Sequence, residues 1–125
     1  MLADINMLSA WVGFALGVLS GAVAGLFFHA EQWWGGYGSW RRRMVRLGHI
    51  AFFGLGLLNL AFALTVAQMH WSRPPEMAAI SLAAATLLMP MACFLAAWKK
   101  PLRHLFVIPV LCVICGIGGI FLGRQ

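Results

Sequence analysis

Acidic residues are almost missing from this chain. Asp4, Glu31 and Glu76 are its only carboxylates, and 10% of its 125 residues are charged. A soluble domain carries about 25% charged residues, because its surface must meet water. That shortage excludes an ordinary soluble domain. A chain that is 62% hydrophobic is expected to sit in lipid instead. Cysteine is also scarce. Cys93, Cys112 and Cys115 all fall inside apolar runs, so they give no disulfide framework and no report on redox compartment.

Catalytic patterns are missing too. There is no P-loop, no HExxH and no Ser-His pair with an acid at hand, so the chain is not expected to be an enzyme. Proton-coupled carriers keep an ionisable residue within the membrane, and the three acids lie outside or at the edges of the apolar runs. The length and span count are similar to those of the small multidrug carriers, but those need a carboxylate in the first helix. The fluoride channels also match in length. Their third helix carries a Phe/Thr/Ser-rich motif, where this chain reads SLAAATLLMPMACF over 81–94. A small transporter or channel is therefore the weaker expectation.

What is present is four long apolar runs. About 20 apolar residues span the hydrocarbon core as a helix, and the runs cover roughly 8–30, 47–69, 77–98 and 102–122. Backbone groups in lipid must be satisfied within the segment, so each run should be helical. No basic n-region precedes the first run, so it is expected to remain as an anchor. The length fits one domain, 1–125. The expected fold is an all-α membrane protein, an antiparallel bundle of four transmembrane helices.

The net charge of +6 is arranged by position. Arg41, Arg42, Arg43 and Arg46 form one cluster, and Lys99, Lys100 and Arg103 another. Both lie between apolar runs, the pattern that marks topology and not nucleic-acid binding. The connections 31–46 and 99–103 should then face the cytoplasm, with both termini on the outer, periplasmic side of a bacterial inner membrane. Only Arg73 and Arg124 oppose that bias. Anionic lipid headgroups are the expected counter-charge. Trp33, Trp34, Tyr37 and Trp40 suggest that connection 31–46 lies at headgroup level. Pro74 and Pro75 mark a short turn between the second and third runs.

Three constellations stand within the runs. Gly13, Gly17, Gly21 and Gly25 repeat at a spacing of four and lead to His29. Such a stripe lets another helix approach closely, or clears room for a flat ligand. Each step drifts about 40° around the helix, at 3.6 residues per turn, so the stripe can serve two neighbours. Gly56 and Asn59 fall broadly on one side of the second helix, where a buried amide usually bonds across helices.

Histidine depth is the second constellation. His29, His49 and His104 fall near one membrane boundary and His70 near the other. Three imidazoles at one level can converge on a metal or on haem iron, with Arg43, Arg46 and Arg103 near enough to pair with propionates. His49 is the preferred ligand, His29 the second and His104 the reserve, for a b-type haem. The plainer reading is that these are interfacial histidines.

The third constellation is Met89, Met91 and Cys93 with Cys112 and Cys115. Soft sulfur ligands suit Cu(I), but the same residues are ordinary core apolar groups.

Two functional expectations follow. One is a small subunit or assembly factor of a membrane electron-transfer complex, holding haem b near the cytoplasmic face and partnered by other membrane-protein subunits. The other is a purely structural helix-packing subunit without cofactor.

Overall fold

The computed structural model describes residues 2–71 and 74–122. Arg73 and Arg124 lie outside the described residues. Among those described there is no strand, and four helices are long and apolar enough to cross a membrane. They are α1 (Leu2–Phe28), α2 (Trp40–Gln68), α3 (Glu76–Trp98) and a fourth span over Lys100–Leu122, which is 3-10 helix over Lys100–Phe106 and α4 over Val107–Leu122.

Helix bounds depart from the apolar runs for identifiable reasons. α1 begins well before residue 8 because Asn6, polar by type, is fully buried and bonded inside the protein. Asp4 in its first turn complements the positive end of the helix dipole. α2 begins at Trp40, so the basic stretch 40–46 is its first two turns and not loop. Ser39 caps it, its hydroxyl accepting the Arg42 N–H at 3.3 Å. The fourth span starts as 3-10 helix because Pro109 has no N–H to offer the Leu105 carbonyl, which weakens the α-helical ladder there.

Helix ends are closed by side chains and by one uncommon backbone conformation. Arg42 is buried and donates to the carbonyls of Phe28 (3.2 Å) and Glu31 (2.9 Å), capping the C-terminal end of α1. Its guanidinium also lies over the rings of Phe28 and Trp33. At the end of α2, His70 adopts φ 49° where glycine is usual. The His70 N–H reaches Ala67 O and the Trp71 N–H reaches Val66 O, a Schellman closure.

α3 is the central element. Its buried face is mostly alanine, with Ala78, Ala79, Ala85 and Ala96 fully enclosed. Small side chains let the backbones of neighbours approach. α1, α2 and α3 pack on one another, whereas α4 packs chiefly on α3. Gly116 and Gly119 make that contact close: a Cβ on Gly116 would stand 2.6 Å from Leu82, and one on Gly119 2.9 Å from Ala78. One apolar cluster around Phe62, Val66 and Leu82 lies toward the α2–α3 turn. A second, around Met44, Ala96 and Ala97, lies toward the basic connections.

Candidate functional site

Polar groups inside the helices gather in two places. The first joins three helices. Asn6 Nδ2 donates to Asn59 Oδ1 at 2.6 Å and to Ala79 O at 2.9 Å. Asn59 Nδ2 lies 2.8 Å from Thr86 Oγ1 and 2.9 Å from both Leu82 O and Leu55 O. Thr86 donates in turn to Leu82 O. Asn6, Asn59 and Thr86 are all enclosed, and Asn6 Oδ1 is buried without a hydrogen-bond partner among the described residues. These bonds tie α1, α2 and α3 together where water cannot compete.

The second place is His49. Its Nδ1 lies 2.8 Å from Gly17 O and 3.3 Å from Ser20 Oγ. A carbonyl can only accept, so Nδ1 carries the proton, and in the neutral ring Nε2 holds the lone pair. The imidazole is pressed against Gly21, so that any Cβ there would collide with it. Phe53 meets the ring edge-on at 5.4 Å. The room that the glycine stripe opens along α1 is thus filled by α2 side chains. A Cβ on Gly17 would stand 2.6 Å from Phe53, and one on Gly13 2.9 Å from Phe52 O. Gly56 returns the contact, its added Cβ lying 2.8 Å from Phe14. A Cβ on Gly25 would meet nothing within 4 Å among the described residues beyond its own helix.

The other histidines stand apart from that niche. His29 is exposed, and its Nδ1 donates to Leu26 O at 2.8 Å, a local bond at the end of α1. His104 is exposed on the 3-10 segment, and His70 closes α2. Among the described residues no group of three or more His, Cys, Asp or Glu side chains is placed to hold a metal ion. Of the sulfur residues, Cys93 is buried in α3, Cys112 is half-buried, and Cys115 and Met91 are exposed.

The basic residues divide by role. Arg46 donates to Tyr37 O at 3.3 Å and lies over the Tyr37 ring at 4.1 Å. Arg43 and Arg103 are exposed. Arg42 caps α1, a role that its place in a basic cluster concealed. Asn6 was concealed because it precedes the first apolar run, and Thr86 because it lies in an alanine- and leucine-rich stretch. Trp40 Nε1 donates to Ala96 O at 2.8 Å, fastening the start of α2 to the end of α3.

No protein-family model, curated protein or solved structure matches this chain.

Proposed function

We propose that this is a small integral membrane subunit that joins a larger membrane assembly by helix packing. The observation that carries this reading is the asymmetry of the fold. α1, α2 and α3 are bonded and packed among themselves, while α4 leans on α3 and presents Leu111, Ile114 and Phe121 outward. A Cβ built on Gly118 of α4 would meet nothing within 4 Å among the described residues beyond its own stretch of helix. Small residues on an open helical face are what close helix–helix association uses. Lipids and other membrane-protein subunits are the partners of this reading.

The antiparallel arrangement is supported by register. Asn6 pairs with Asn59, Gly13 with Gly56 and Gly21 with His49, so rising numbers in α1 meet falling numbers in α2. Seven of nine basic residues fall at one end, four in the first turns of α2 and three between α3 and α4, which favours that end as the cytoplasmic side of a bacterial inner membrane and both termini as periplasmic. Gly38→Cys should resist a membrane-impermeant thiol reagent added outside intact cells. Labelling there would reverse the orientation.

The second reading is a subunit or assembly factor of an electron-transfer complex holding a b-type haem. What favours it is His49, whose Nδ1–H is held by a backbone carbonyl. That arrangement fixes the ring of an imidazole ligand and leaves Nε2 for the metal. The visible spectrum after haem-replete expression separates the two. Packing alone predicts a flat spectrum. A Soret band with sharp reduced α and β bands, lost in His49→Ala, would replace it with the haem reading.

A further inference from the structure

A groove runs along the outside of α2, with α1 and α3 as its walls. Val45 and Phe52 of α2 form its floor, Leu19, Val23 and Phe27 of α1 one wall, and Phe94 of α3 the other. Its volume is about 620 Å³, within the range of roughly 300–1,000 Å³ that ligand clefts occupy. Nearly all of its lining is apolar. Toward the basic end it shares Trp34 and Phe94 with a cavity of about 330 Å³, which in turn shares Trp34, Arg41, Ala97 and Trp98 with one of about 540 Å³. Those two change in character: Arg41 lines both, and Lys100 and Ser39 line the outer one.

The sequence of linings is that of an amphiphile: apolar along the helices, indole at the boundary, cationic at the end. Indole rings sit at headgroup level, and Trp33, Trp34, Trp40 and Trp98 all line this path. Trp34 borders all three cavities and holds a left-handed backbone, φ 53°. That conformation is unfavourable for a side-chain-bearing residue. It is stabilised by stacking on Trp33 at 4.7 Å, which itself stacks on Phe27 at 5.4 Å. Nine basic residues against three acidic ones leave a surplus of cations that the chain's own carboxylates cannot neutralise.

We propose that this composite groove is a binding site for one anionic phospholipid, with acyl chain along Leu19, Val23 and Phe94 and phosphate between Arg41 and Lys100. This goes beyond helix packing and is independent of it, since the groove lies between α1 and α3 and not on α4. Charge fixes the class of occupant. An apolar partner helix would satisfy the apolar part and leave the two cations unanswered, and a zwitterionic lipid would bring a cation of its own beside its phosphate, against Arg41 and Lys100.

The full chain, exchanged into detergent with equal phosphatidylglycerol and phosphatidylcholine, should retain one phosphatidylglycerol in native mass spectrometry, favoured on the order of tenfold over phosphatidylcholine. Arg41→Gln with Lys100→Gln should bring that ratio near one. Arg43→Gln with Arg103→Gln, at exposed positions that line none of the three cavities, removes the same charge and should leave it. Val23→Trp, at an exposed position, should lower retention at unchanged charge by filling the groove. Equal loss in both charge-paired variants would reduce the effect to general attraction and overturn the site. So would unchanged retention in Val23→Trp, or a second copy of the chain seated in the groove in place of lipid.

Discussion

Asn59 shows what a single side chain does in this fold. One amide accepts from Asn6 on α1 and donates toward Leu82 O and Thr86 on α3. Interhelical bonds of this kind average about 0.6 kcal/mol in membranes, because the unfolded helices also find partners there. Several are lost together when Asn59 goes, and buried groups on two other helices lose a partner. Asn59→Leu should therefore lower unfolding free energy by about 1–3 kcal/mol. Asn6→Leu should cost less, since it removes one bond to Asn59 and one to Ala79 O and also removes a buried, unpartnered oxygen. Reversible unfolding in mixed micelles measures both, and an Asn6→Leu loss exceeding that of Asn59→Leu would contradict this ranking. The amide at 59 was legible in the sequence, as a polar residue amid a long apolar run. Its partners were not. Hydropathy reads Thr86 as part of the run and Asn6 as lying before it, and neither reading contains the geometry that aims them at one point.

At the scale of the helix, the glycine stripe of α1 is two things in one element. Gly13, Gly17 and Gly21 face α2, and a side chain at Gly13 would meet backbone, the carbonyl of Phe52. Backbone cannot turn aside as a side chain can, so the helices must separate. Gly25 is followed outward by open space. Gly13→Leu should therefore lower the melting temperature of the isolated protein strongly, and Gly25→Leu should leave it nearly unchanged. Equal losses would show that contact with α2 does not govern the stripe, since leucine forms helix better than glycine and propensity alone would raise stability at both positions. The drift of a four-residue spacing around a 3.6-residue helix made such a division foreseeable, though not which glycine would leave the interface. Hydropathy located all four spans, because it reports transfer into lipid. It could not mark Trp40 as the start of α2, since that depends on Ser39 as a cap. Nor could it mark the 3-10 lead into α4, which depends on a hydrogen bond that Pro109 cannot make.

For the whole molecule, hydropathy separates lipid from water but does not say which helix touches which. The close association of α1, α2 and α3 and the lateral position of α4 depend on small residues and on three buried polar side chains, not on total apolarity. Histidine depth likewise gave three imidazoles near one boundary without their directions. His49 turns into α1, His29 bonds to its own helix and His104 is exposed. The outward face of α4 is the feature on which the proposed role depends, and Ile114 lies on it. A photo-crosslinking amino acid placed at Ile114, activated in intact membranes, should give one protein adduct of discrete mass. Gly118→Leu should abolish that adduct while leaving the melting temperature of the purified chain unchanged, because among the described residues no other helix comes within 4 Å of a Cβ at that position. Adducts to lipid alone at Ile114, or a protein adduct indifferent to Gly118→Leu, would contradict the account.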